Sequence, residues 1–297
     1  MASLVKLGPA PPLEESVLHA KQERLFASLK GMGTVLVAYS GGTDSAYLAW
    51  AARQVLGDQA IAITADSPSI PESHKRDAIA FAQQFGIRHE LIPSLEFENP
   101  DYAANNPDRC FHCKDELFHR MEEIAPQFGG AAIVYGVNVD DLGDYRPGQK
   151  AASLHGVKAP LVEAQLSKAE IRELSRKAGL PTWDRPAAAC LSSRIPYGTA
   201  VTPQNIKQVE SGEETLKALG FRQFRVRYHG EMARIEIARG EMEKFFSLDM
   251  FDRVSDAFKR LGFTYVALDL NGYRQGSMNE VLPDGGKVSG DSGFGGS

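Results

Sequence analysis

Cysteine is scarce, with three residues among 297, and an odd number of thiols argues against a disulfide scaffold. Charge of one sign is scarce too. The 33 basic and 38 acidic residues leave a net charge of −5, which gives no global electrostatic reason to coat nucleic acid. No apolar run approaches the roughly 20 residues that span a bilayer, and the opening MASLVKLGPAPPLEES lacks the apolar stretch of a secretory leader. No GK[ST] follows a strand-like run and no GxGxxG occurs, so a Walker A loop and a dinucleotide fingerprint are both excluded. Internal repeats are absent. With 43% apolar residues there is ample material for a packed core. The expectation is a soluble, cytoplasmic enzyme with no membrane or nucleic-acid partner.

What is present reads as two unlike halves. A helix over 13–30 precedes the apolar run Thr34 to Tyr39, of the kind found in buried parallel strands. Helical and strand-like segments then alternate: a helix over 46–55, a strand over 60–64, a helix over 71–85, a strand over 88–92, a helix over 114–124 and the strand AAIVYG. That alternation predicts βαβ units around a parallel sheet, hence an α/β fold over residues 1–200. Beyond residue 200 the pattern changes to an amphipathic helix over 203–219, then alternating FRVRYH and MARIEIA about a turn with Gly230. A further helix near 249–260 and the strand TYVALDL complete a smaller α+β domain over 201–282. The final 15 residues, 283–297, hold six glycines and are expected to be disordered; the GDSG within them reads as chance.

The sharpest local signal is Ser40-Gly41-Gly42-Thr43-Asp44-Ser45, set between a strand and a helix. Paired glycines let the backbone turn tightly and approach an anion. Consecutive amides and the helix N-terminus then face phosphate oxygens, with the Ser40 and Ser45 hydroxyls as extra donors. Asp44 can hold Mg2+, directly or through water. The SGGTDS string resembles the PP-loop of the adenine nucleotide α-hydrolase superfamily, which implies ATP cleavage between the α- and β-phosphates. Asp66 and Ser67 follow the second strand at the carboxyl end of the sheet, where they either contact the nucleotide or simply form a turn.

Cys110 and Cys113 form CFHC, and Cys190 lies far along the chain in PAAACLSSR. Spacing alone leaves four readings open: a redox pair, zinc completed by His112 or His119, three unrelated buried thiols, or a [4Fe–4S] cluster with one iron lacking a protein ligand. Arg225 and Arg227 alternate with apolar neighbours, so both guanidinium groups share one strand face. They suit a phosphate, or else cross-strand pairs with carboxylates such as Glu236, worth about 0.2–1 kcal/mol each. Asp140, Asp141 and Asp144 form an acidic loop that either binds Mg2+ or is merely solvated.

Longer strings narrow these choices. NVDDLGDYRPGQKAA, WDRPAAACLSSRIPYGT, FRVRYHGEMARIE and LDLNGYRQGSMNE resemble the LarE family of ATP-dependent sulfur insertases over nearly the whole chain except its ends. The resemblance implies conversion of pyridinium-3,5-biscarboxylic acid mononucleotide to its bis-thiocarboxylic acid, which later receives nickel. It implies ATP and Mg2+ as cofactors, catalytic roles for Asp44, Cys190 and Arg194, and a substrate-phosphate site at Arg225, Arg227 and Glu236. Cys190 matches the cysteine that some members sacrifice as the sulfur source. Cys110 and Cys113 place this sequence with members whose three cysteines hold a [4Fe–4S] cluster, with sulfide or another donor supplying the sulfur. The resemblance also implies a homo-oligomer, in the form of a hexamer. The rivals are a tRNA-thiolating PP-loop enzyme, an amide-forming relative of NAD synthetase, and a non-enzymatic iron–sulfur or nucleotide sensor.

Overall fold

The computed structural model describes residues 14–142, 147–186, 189–274 and 277. Asp144 and the glycine-rich end from residue 283 lie outside the described residues.

Apolar runs become three largely buried parallel strands, as expected where both faces are covered, and a fourth, more exposed strand pairs in parallel at one edge. They are β1 (Val35–Ala38), β2 (Ala60–Asp66), β3 (Arg88–Pro93) and β4 (Ala132–Tyr135), in the order β3-β2-β1-β4. Side chains alternate across this sheet and build two separate cores. Val35 and Val37 of β1, with Ala60 and Ala62 of β2, face helices α1 (Glu15–Met32), α2 (Thr43–Leu56) and α3 (Glu72–Gln84). Leu36, Ala38, Ile61 and Ile63 face the opposite way. They meet Phe118 and Met121 of α5 (Arg109–Ile124), which follows the short α4 (Pro100–Ala103), and Ala151 and Ala152 of α6 (Pro147–Leu154). The short α7 (Pro160–Glu163) and α8 (Lys168–Lys177) return to the first face through Leu161, Ile171 and Leu174.

The remaining residues form α9 (Pro203–Ala218), β5 (Phe224–His229), β6 (Met232–Ile237), α10 (Leu248–Arg260) and β7 (Tyr265–Leu268). β5 and β6 are antiparallel, as the alternating hairpin predicts, and β7 joins β6 in parallel, giving a small mixed sheet. The two sheets establish an α/β architecture with a smaller C-terminal α+β domain. The C-terminal core does not stop at α9: Tyr102 of α4, with Leu191 and Ile195, are buried in it, and Cys113 packs at its edge.

The structure differs from the sequence reading in two places. Helix α5 starts at Arg109, five residues before the predicted start near Lys114, so Cys110 and Cys113 both lie within its first five residues. Residues 147–177 carry three helices that hydrophobic periodicity did not single out. Their buried positions are sparse, mainly Ala151 and Ala152 in α6 and Ile171 and Leu174 in α8.

A titratable staple ties α6 to α5. His155 lies 3.0 Å from Asp115 and 2.9 Å from Glu122 through its two ring nitrogens. Burial works against ring protonation, but the two carboxylates outweigh it and raise the pKa above the usual imidazole value. The staple therefore contributes fully below about pH 6.5, and its contribution is lost as the pH rises through the raised value. Urea unfolding of the wild type and His155→Ala should show a larger stability gap at acid than at alkaline pH. A gap that does not depend on pH would refute this ionic account.

Candidate functional site

β1 lies between β2 and β4, so the connections diverge at its carboxyl end, where open α/β sheets bind ligands. The SGGTDS segment occupies that place. Gly41 adopts φ +74°, and Gly42 caps α2, which begins at Thr43 and so carries Asp44 and Ser45 in its first turn. The Ser40 amide donates to Ser45 Oγ at 3.2 Å, and that hydroxyl donates to the Gly42 carbonyl at 3.1 Å, closing the loop on itself. A cavity of about 200 Å³ opens here, lined by Ser40, Gly42, Asp44 and Ser45 together with Tyr135 and Gly136 from the end of β4.

Asp44 is the most constrained acid of this cavity. Its Oδ2 meets Lys168 Nζ at 2.7 Å, while its Oδ1 is buried with no hydrogen-bond partner among the described residues. Burial raises the carboxyl pKa, against the opposing pull of Lys168. A buried carboxylate oxygen left without a donor is costly, and a divalent cation would relieve that cost. Asp141 lines the same cavity and accepts the Asn138 amide at 3.1 Å, whereas Asp140 accepts the Lys168 amide at 2.7 Å at the start of α8. Asp66 pairs with Lys75 at 2.6 Å. Ser67 is buried in a network with Ser69 and Glu96, so its hydroxyl is already engaged.

A second, larger cleft of about 710 Å³ runs between the two sheets, lined by His74, Arg185, Arg194, Glu213, Arg225 and neighbours. Arg185, which lines this cleft, reaches the phosphate loop by donating to the Gly41 carbonyl at 3.0 Å, and it pairs with Asp77. Cys190 sits between two cleft-lining residues, Ala189 and Leu191. Its carbonyl accepts from Arg194 Nη1 at 2.8 Å, and Arg194 makes a two-pronged pair with Glu213 at 2.9 and 3.1 Å.

The same segment is held from α4 and α5. Tyr102 Oη and Ser192 Oγ are 2.7 Å apart. Arg109 Nη1 donates to the Ser192 carbonyl at 2.9 Å, and Asn105, itself in the left-handed region, donates to the Pro196 carbonyl at 2.7 Å. These clamps bring Cys190 close enough to act electrostatically on Cys110 and Cys113. Burial first, then Cys190, raises the Cys110 thiol pKa; burial and then Glu96 push Cys113 well above the ordinary thiol value. Among the described residues no three His, Cys, Asp or Glu side chains are close enough to hold a single metal ion.

Arg225 and Arg227 part company. Arg225 lines the cleft, bonds the Phe224 carbonyl at 2.7 Å and lies 5.2 Å from the Tyr273 ring. Arg227 is buried, 2.7 Å from the fully buried Glu236 and 2.8 Å from Ser277 Oγ, with Nη1 on the Ser193 carbonyl at 3.2 Å. Lys168, Arg185, Arg109 and Glu213 escaped the sequence reading. Of these, only Arg185 carried a signal, as part of the WDRPAAACLSSR string.

Comparison with known proteins agrees with this geometry. The sequence profile described as NAD synthase matches residues 24–106, which span β1 to β3 and the phosphate loop. The pyridinium-3,5-bisthiocarboxylic acid mononucleotide synthase of Lactiplantibacillus plantarum is 38% identical over 269 residues, covering 90% of this chain and 96% of the relative. The chain belongs to the LarE family of PP-loop proteins. An uncharacterised protein of Synechocystis is 44% identical over 90% of this chain and 99% of its own length, and one of Methanocaldococcus jannaschii is 26% identical over 81% and 90%. The matched profile spans the loop, in keeping with ATP-type nucleotide binding in the family, and the chain carries three cysteines. No helix among the described residues is long and apolar enough to cross a membrane.

One contact should decide whether the loop keeps its shape. A Cβ at Gly136 would lie 2.7 Å from the Ser45 amide nitrogen and 2.8 Å from its Cα, both backbone atoms that cannot swing away. Gly136→Ala should cost about 1–3 kcal/mol in chemical denaturation and weaken ATP binding, because the first turn of α2 must move. Unchanged ATP affinity by calorimetry would show that the loop tolerates the displacement.

Proposed function

We propose that the chain is an ATP-dependent sulfur insertase that converts the carboxylates of pyridinium-3,5-biscarboxylic acid mononucleotide to thiocarboxylates. The observation that carries this reading is the position of Cys190, between two cleft-lining residues and within electrostatic reach of Cys110 and Cys113. The phosphate loop joins the same cleft through Arg185. The name of the Lactiplantibacillus relative supplies the substrate class.

In this reading the loop amides of Gly41 and Gly42 and the hydroxyls of Ser40 and Ser45 hold the ATP phosphates. Asp44 is the residue that would hold Mg2+, and Asp66 and Ser67 border the nucleotide. A substrate carboxylate attacks the α-phosphate and expels pyrophosphate, giving an acyl adenylate. A sulfur nucleophile then attacks the acyl carbon, and AMP leaves with the carbon–oxygen bonding pair; two rounds treat both carboxylates. Arg225 receives the substrate phosphate. Its pKa is lowered by burial first and then by Arg194, a cost that an anion would relieve. Arg227, held by Glu236, fixes the floor beneath it, and Arg194 positions Cys190 through its carbonyl. Cys110, Cys113 and Cys190 are the residues that would hold a [4Fe–4S] cluster, which would supply a sulfide nucleophile so that no protein thiol is destroyed.

We place the division of the chain at residues 200 and 201 and the protein in the cytoplasm, where free thiols persist. We also propose self-association, in the form of a hexamer. Exposed Phe246, Leu248 and Phe251 on the C-terminal domain support an interface.

The test is anaerobic purification with iron and acid-labile sulfide analysis, then reaction with ATP, Mg2+ and the biscarboxylate. Pyrophosphate release should require the substrate, thiocarboxylate should accumulate over several turnovers, and Cys190 should keep its sulfur by intact mass. Asp44→Asn should slow the reaction roughly 10²–10³-fold, and Cys190→Ala should abolish thiocarboxylate formation. Binding of ATP without substrate-dependent pyrophosphate would instead identify a nucleotide sensor.

A further inference from the structure

Among the described residues, the cavity at the phosphate loop has one basic side chain in its lining, and it belongs to the cysteine-bearing helix. Lys114 follows Cys113 in α5 and lines this cavity with Ser40, Gly42, Asp44 and Asp141. Its stem runs against Gly148 of α6, where a Cβ would meet Lys114 Cγ at 2.9 Å, so the approach of the two helices depends on the missing side chain. The ammonium lies 5.9 Å from the Phe118 ring, and no carboxylate pairs with it among the described residues. Lys168, the ammonium behind the cavity, is already paired with Asp44. Among the described residues, a triphosphate entering this cavity would therefore meet Lys114 as the basic side chain of the lining, with Lys168 already committed to Asp44.

Resting on the nucleotide-site reading above, we propose that Lys114 binds the terminal phosphates of ATP, the part that departs as pyrophosphate. A Lys ammonium offers a flexible point charge suited to a phosphate whose position changes during cleavage. Five consecutive residues of α5 then carry both the nucleotide contact at Lys114 and the thiols of Cys110 and Cys113. The leaving pyrophosphate and the sulfur centre would share a mechanical and electrostatic connection.

The experiment measures binding of Mg2+-pyrophosphate, ATP and AMP to the full chain by calorimetry, for the wild type, Lys114→Met and Lys114→Arg. Loss of a charge-assisted contact predicts about 10- to 100-fold weaker binding of pyrophosphate and ATP by Lys114→Met. AMP affinity and unfolding temperature should stay unchanged, and Lys114→Arg should recover most of the loss. Equal pyrophosphate affinity in wild type and Lys114→Met would overturn the assignment. So would a parallel loss of AMP binding, which would make Lys114 structural. If the wild type itself binds neither ATP nor pyrophosphate, the nucleotide-site reading fails first and this assignment with it.

Discussion

The backbone at Gly136 approaches the first turn of α2 so closely that no side chain fits between them. That approach brings the carboxyl ends of β1 and β4 against each other, which fixes one wall of the phosphate cavity. It also determines which groups can reach the anion. With β4 held against α2, the chain continuing from β4 places Asp141 in the cavity and Asp140 on the first amide of α8. α8 in turn brings Lys168 to Asp44. The orphaned Asp44 oxygen is thus the end of a chain of packing constraints and does not reflect a local preference of the SGGTDS loop.

A second set of constraints acts on the segment from Ala189 to Thr199. Its residues include no regular helix or strand beyond a short 3₁₀ turn at Leu191–Arg194, so side chains from elsewhere must satisfy its carbonyls. Arg109, Asn105 and Arg194 do so, and Leu191 and Ile195 anchor it in the C-terminal core. The buried pairs Arg194–Glu213 and Arg227–Glu236 are weak evidence for stability, since desolvating two charges offsets most of their attraction. Their geometry is informative for another reason. Both arginines also bond carbonyls of the Cys190 segment, at Cys190 and Ser193, so the pairs fix where the thiol stands between the two domains.

Legibility in the sequence followed locality. The phosphate loop was readable because its donors, glycines and carboxylate lie within six consecutive residues. The strands were readable because burial on both faces leaves uninterrupted apolar runs such as β1. The hairpin of β5 and β6 was readable from alternation about Gly230. The cysteines were only half legible: spacing showed a pair and a distant third, but their convergence depends on Tyr102, Asn105 and Arg109 bonding residues some 90 positions away. Lys168 pairs with an acid 124 residues distant, and no local pattern marks such a residue. Arg225 and Arg227 illustrate the converse. Alternation correctly put both on one strand, yet it could not say that one would line the cleft and the other would be enclosed by Glu236 and Ser277.

An acyl adenylate is open to water as well as to sulfur, so a sulfur insertase must favour the second nucleophile by placement. Proximity supplies that preference when the attacking atom is held near its target before activation occurs. The Cys190 segment is suited to this because it is rigidly clamped on one side and borders the cleft on the other. A mobile thiol on a solvated loop would lose this advantage, since water would compete at every position the thiol visited. Partial desolvation has a corresponding cost: it raises the pKa of Cys110, whose residue is exposed, and of the half-buried Cys113, and disfavours their thiolates. A bound metal centre reverses that preference, because coordination stabilises the deprotonated form. The raised pKa values that make the free thiols of Cys110 and Cys113 poor nucleophiles would therefore be overcome on coordination, which is the division of labour a three-cysteine site needs if the sulfur it delivers is not to be its own.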